Sequence, residues 1–114
     1  MTKPHKFTED HIDLLHSLEK DGKASQRQIA KNSGLSIGKV NYIIKALIDI
    51  GFVKIKNFNN SNKKLEYAYI LTPKGMAEKT RLTKNFIIKK KQEYDKLNSY
   101  LNEDDMRELK GVKK

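Results

Sequence analysis

The spacing of apolar positions changes twice along the chain, and each change marks a different kind of element. Ile12, Leu15 and Leu18, with Leu14 beside them, recur at helical steps behind Thr8, which predicts a helix with one buried stripe. Thr8 is placed to cap it, and Glu9 and Asp10 fill the first turn, where the helix dipole favours acids. Asp21-Gly22 ends it. Ser25 followed by Gln28 reads as a capping box. The helix it opens, roughly Gln26 to Asn32, offers Ile29 and Ala30 to a core and stops at Gly34. Ser36 caps a third helix expected over Ile37 to Ile50, with Val40, Ile43, Ile44 and Leu47 on its apolar side and Gly51 behind it.

Past Gly51 the period drops to two. Phe52 to Phe58 alternates apolar and basic residues through Val53, Lys54, Ile55 and Lys56, which predicts a half-buried strand. Asn59 to Lys64 is a polar turn. Leu65 to Thr72 is a second strand with Leu65, Tyr67, Tyr69 and Leu71 on one face. Two helices with a glycine in a joint of about four residues form a helix-turn-helix, whose second helix suits the major groove of DNA. A hairpin directly behind it makes a winged helix. The expected fold is mainly α with a small β-hairpin wing.

The next period is helical again, and long. Thr72 can cap a helix with Pro73 in its first turn, running from Lys74 to about Asn102, which at 1.5 Å per residue spans roughly 40 Å. Met76, Thr80, Thr83, Ile87, Tyr94, Leu97 and Leu101 fall on one stripe, interrupted by Lys90 and Lys91. A helix of that length exceeds what a small winged domain needs to cover its core. Its seam, above all Thr83, Ile87, Tyr94, Leu97 and Leu101, asks for a partner, most simply the same helix of a second chain. The alternative is a helix that bends back onto its own domain. Asn102 to Asp105 breaks the pattern, with Met106 to Leu109 as a last turn before a basic tail. Residues 1–73 thus read as a winged helix-turn-helix DNA-binding domain and 74–114 as a dimerisation helix plus tail. Met1 to Phe7 reads as a short mobile arm.

Charge narrows the partner. The net charge is +10, and it is unevenly spread. Gly22 to Leu65 holds nine Lys or Arg against one acid, Asp49, whereas Thr8 to Asp21 holds five acids. A basic central block is the footprint of a polyanion binder, and a merely solubilising lysine-rich surface is the plainer alternative. The chain has no cysteine, which excludes disulfides and thiolate chemistry. No apolar run approaches about 18 residues and no signal segment opens the chain, so a cytoplasmic protein without membrane contact is expected. His5, His11 and His16 share no helical face and read as surface histidines, so no metal is expected. Without a phosphate-binding glycine loop or a nucleophile with a matching base, neither an enzyme nor a cofactor is expected.

On a helical wheel Gly38, Asn41, Tyr42 and Lys45 point away from the apolar side of the third helix, with Lys39 at the edge. Asn pairs with adenine, Lys donates to guanine or phosphate, and Tyr reaches phosphate or a thymine methyl. Gly38 leaves room for close backbone approach to a phosphate. Ser25, Gln26, Arg27 and Ser36 sit where the motif crosses the phosphate backbone. Lys54, Lys56, Asn60, Lys63 and Lys64 belong to the wing, where lysine adds salt-dependent affinity more than specificity. Ser25 and Ser36 are caps first, and Asn41 and Lys45 also fit solvated helix surface.

The stretch Ser25 to Leu82 resembles the MarR-family regulators associated with exopolysaccharide gene clusters. Leu71-Thr-Pro-Lys-Gly75 matches the sequence that closes the wing in MarR-type proteins, and Gly38-Lys-Val-Asn-Tyr42 matches the exopolysaccharide-associated branch. The resemblance implies a homodimeric transcription factor on double-stranded DNA, commonly a repressor, near polysaccharide biosynthesis genes. Larger members dimerise through extra helices at both ends and bind small phenolic ligands between domains. With little chain before Thr8, pairing is expected to fall to the C-terminal helix, and no small-molecule ligand is expected. A competing reading is a winged-helix adaptor whose C-terminal helix docks on another protein. RNA binding is disfavoured because Tyr67 and Tyr69 are expected to face the core rather than form a stacking platform.

Overall fold

The computed structural model describes residues 6–59 and 65–111. Among these are α1 (Glu9–Lys20), α2 (Gln26–Ser33), α3 (Ile37–Asp49), β1 (Val53–Asn59), β2 (Leu65–Leu71), α4 (Pro73–Asn98) and α5 (Glu103–Lys110). The chain falls into two units, Met1–Thr83 and Lys84–Lys114.

In the first unit three short helices close on one another through their apolar stripes. Leu14, Leu15 and Leu18 of α1, Ile29 and Ala30 of α2, and Val40, Ile43, Ile44 and Leu47 of α3 are buried together with Phe52, Val53 and Leu71. Each helix begins where a side chain satisfies backbone N–H groups that have no partner within the helix. Ser25 Oγ accepts from Gln28 N at 3.1 Å and Ser36 Oγ from Lys39 N at 3.1 Å. The box expected at α2 is half formed, because the Gln28 amide instead donates to Asn32 Oδ1 at 2.9 Å. A reciprocal contact does form at α1, where Thr8 N donates to Nδ1 of His11 at 3.1 Å. α2 stops at Gly34, whose φ of 77° is the left-handed value glycine tolerates.

β1 and β2 pair antiparallel, with Val53 opposite Leu71, Ile55 opposite Tyr69 and Asn57 opposite Tyr67. The expectation that Tyr67 and Ile55 face the core is corrected: they are 56% and 49% exposed. Val53 and Leu71 at the base of the hairpin are buried in the core, and Tyr69 packs partly against it. The loop between α1 and α2 joins β2, since Tyr69 N donates to Gly22 O at 2.8 Å.

The segment Leu71 to Gly75 ties three elements together. Thr72 N donates to Phe52 O at 3.0 Å. The Thr72 hydroxyl donates to Gly51 O at 2.6 Å and accepts from Gly75 N at 3.0 Å, capping α4. Lys74 Nζ reaches Ile50 O at 3.4 Å. A Cβ on Gly75 would overlap the Phe52 carbonyl oxygen, so this close approach admits only glycine. Phe7, expected in a mobile arm, instead stacks on Phe52 with ring centroids 5.5 Å apart.

α4 differs from expectation in its facing and its end. Gly75 and Leu82 are its buried residues, while Met76 is 48% exposed. The helix ends at Asn98, four residues early, where Ser99 Oγ donates to Lys96 O at 2.6 Å and competes with the backbone ladder. Leu101 therefore lies beyond α4 and not on its seam. Asn102 opens a separate helix, with its Oδ1 accepting from Asp105 N at 2.8 Å, so α5 replaces the single turn expected there.

Two glycines of opposite surroundings test this packing. Gly75→Ala is expected to destabilise the protein by about 2 kcal/mol or more through overlap with backbone. Gly38→Ala, where nothing lies within 4 Å of the added carbon, should stabilise α3 by up to about 1 kcal/mol. Urea unfolding midpoints of the two variants against the wild type check both signs.

Candidate nucleic-acid interface

The candidate surface is built by what α3 buries. Val40, Ile43 and Leu47 are 0% exposed and Ile44 1%. With residues 100° apart on a helix, burial of these four sends Gly38, Tyr42 and Lys45 to the opposite side. Gly38 and Lys45 are exposed and Tyr42 is 72% exposed, as expected, whereas Asn41 is half-buried at the flank. Ile37, which the sequence reading used only as a helix start, is 43% exposed at the leading end of α3. Its apolar character hid it, because an isoleucine at a helix start reads as core.

The elements around α3 carry further sequence-chosen residues. Arg27 is exposed on α2, and Lys54 and Lys56 are exposed on one face of β1. Ser25 and Ser36 are spent as caps, so their backbone placement is what the site inherits from them. Gln26 is held inward, its amide donating to the Tyr69 hydroxyl at 3.2 Å. That bond links α2 to the wing. Lys39 is also engaged, its ammonium 2.9 Å from Asp10 Oδ2 on α1. Asn60, Lys63 and Lys64 lie outside the described residues.

Charge separates this face from α1. On α1, Asp13 borders a recess with His16, Ser17, Lys20, Asp21, Asn32 and Ser33. Burial pushes the Asp13 carboxyl above its ordinary range, and the neighbouring Glu9 and Asp10 raise it further. Among the described residues no group of His, Cys, Asp and Glu is arranged to hold a metal ion, and no helix is long and apolar enough to cross a membrane.

A helix presenting polar and basic side chains outward, two capped helix starts beside it and lysines on a following hairpin are the parts of a groove-reading module. Residues 10–54 match the family model described as winged helix-turn-helix DNA-binding. The chain carries a winged helix-turn-helix. No curated protein matches the sequence. Among solved structures the winged helix-turn-helix is similar to smu.1704 from Streptococcus mutans UA159, at 20% identity over 90% of this chain and 98% of that one, with a TM-score of 0.67. It is similar also to AbsC, a MarR family transcriptional regulator from Streptomyces coelicolor, at 16% identity over 90% and 68% of the two chains, TM-score 0.60. A MarR/EmrR family regulator from Acinetobacter sp. ADP1 follows at 20% identity over 90% and 68%, TM-score 0.56. At these identities the likeness establishes the shared fold.

The Asp10–Lys39 pair gives this surface a measurable handle. An exposed ion pair contributes about 0–1 kcal/mol to stability, so Asp10→Asn should leave the unfolding midpoint almost unchanged. It should raise affinity for duplex DNA severalfold at low salt by freeing a cation at the edge of α3 and removing an anion. Parallel denaturation and anisotropy titrations check the two halves.

Proposed function

We propose that this protein is a sequence-specific transcriptional regulator that binds double-stranded DNA as a homodimer. The observation that carries the reading is the outward face of α3, where Gly38, Tyr42 and Lys45 are set opposite a fully buried stripe with Asn41 half-buried at its flank. In this reading α3 enters the major groove, Asn41 and Lys45 address base edges, and Arg27 with the backbone near Ser25 and Ser36 meets phosphates. Lys54 and Lys56, with Asn60, Lys63 and Lys64 between the two strands in sequence, follow the sugar-phosphate backbone.

Homodimerisation is assigned to the C-terminal unit. Ile87, Tyr94 and Leu97 are each more than 60% exposed and Leu101 is 38% exposed, and apolar side chains in that number favour a covering partner. Thr83 stands at the start of this stretch, its hydroxyl donating to Lys79 O at 2.6 Å. The break at Asn98 means that the contact would be made by α4 and α5 jointly rather than by one seam. The resemblance of Leu71–Gly75 to MarR-type proteins and of Gly38–Tyr42 to their exopolysaccharide-associated branch supports repression of polysaccharide biosynthesis genes. The same exposed apolar side chains also suit an adaptor docked on another protein.

Anisotropy titrations of the duplex upstream of its own gene, against a scrambled duplex over a range of salt, test the reading, with sedimentation of the free protein alongside. A dimer that prefers the native duplex at physiological salt is expected. A monomer that binds neither duplex would favour the adaptor.

Two substitutions should separate specificity from affinity. Asn41→Ala is expected to narrow the gap between native and scrambled duplex by about 1–3 kcal/mol. Lys54→Ala should weaken both duplexes alike and reduce the salt slope by about one. Full titrations of each variant at several salt concentrations distinguish the two patterns.

A further inference from the structure

Ile37 occupies an unusual position for an exposed branched hydrophobe. It is the first residue of α3, immediately after the Ser36 cap, and is 43% exposed. Single exposed apolar residues are ordinary on protein surfaces, so exposure alone decides nothing. Its alignment is the informative part. Ile37, Asn41 and Lys45 stand at four-residue steps, which places them in one row along the helix, about 6 Å apart and about 12 Å from end to end. Two members of that row carry donors and acceptors suited to base edges, and the third carries only methyl and methylene groups.

A groove-facing row needs a reason for an apolar member, and the major groove supplies one chemistry that an aliphatic side chain recognises. Thymine presents its 5-methyl group there, while the other bases present donors and acceptors at that edge. The N-terminal residues of a recognition helix are those that reach base edges. Branching at Cβ restricts the side chain to few rotamers, which keeps the entropy cost of ordering it small.

We propose that Ile37 reads the 5-methyl group of a thymine in each half-site, an inference that rests on the duplex-binding reading above. Ile37 thereby adds a specificity determinant at the N-terminal end of the row, next to the base pair met by Asn41.

The test uses duplexes recovered by the full-length protein from a randomised library, resynthesised with each thymine replaced in turn by uracil. Uracil removes the methyl group and leaves base pairing intact. Wild-type protein should lose about fourfold in affinity at one position per half-site, as expected for the lost burial of one methyl group. Ile37→Ala should bind the thymine duplex correspondingly more weakly and be indifferent to the replacement at that position, while Ile37→Val retains part of the discrimination. Uracil replacements that affect wild type and Ile37→Ala equally at every position overturn the inference and leave the regulator reading intact. A library that yields no preferred sequence overturns both.

Discussion

Val40, Ile43, Ile44 and Leu47 are withdrawn from solvent almost completely, and the rest of the molecule is arranged around that fact. Burying such side chains is worth roughly 1.5–3 kcal/mol each, so turning α3 to present another face would cost roughly 6–12 kcal/mol, comparable to the whole stability of about 5–15 kcal/mol expected of a small domain. The helix has one rotational setting. Everything that gives its outer side chemical meaning follows from it: Tyr42 and Lys45 in solvent, Asn41 at the flank and Ile37 at the leading end.

The second determinant fixes the wing to that helix. Phe52 N donates to Leu47 O at 2.9 Å and Thr72 N donates to Phe52 O, so β1 and the start of α4 are anchored to the C-terminal end of α3 through one residue. Gly51, at a φ of 82°, makes the reversal possible. Thr72 and Gly75 complete the joint, one by hydrogen bonding on both sides and the other by having no side chain. The Thr-Pro-Lys-Gly sequence therefore sets where Lys54 and Lys56 stand relative to α3. On the opposite flank the Gln26–Tyr69 bond ties the wing to α2.

Features governed by neighbours within a few residues were readable from the sequence. Ser25, Ser36 and Gly34 mark boundaries because caps and left-handed residues act locally, and the buried stripe of α3 follows from helical periodicity alone. Features set by distant contacts were not. The Gln28 side chain could turn back to accept from the Ser25 backbone N–H or forward to donate to Asn32, and it does the latter. Tyr67 and Ile55 have the alternation of a half-buried strand, but exposure depends on how far the helices extend beneath the hairpin. Lys39 looked like free cationic surface because Asp10 lies on another helix. At the end of α4 the periodicity persists through Leu101, and the break comes from Ser99 and Asn102, whose side chains bond the backbone more favourably than a continuing helix would allow. Asn60, Lys63 and Lys64 remain assignments of the sequence.

The most direct test of the account is a titration of isotopically labelled protein with the duplex from upstream of its gene, followed by amide chemical shifts. Residues 25–27, 36–45 and 54–56 should shift together, and Asp13 to Asp21 should remain unmoved. Shifts concentrated on α1, or on α4 and α5 with α3 silent, would contradict the assignment of α3 as the reading element.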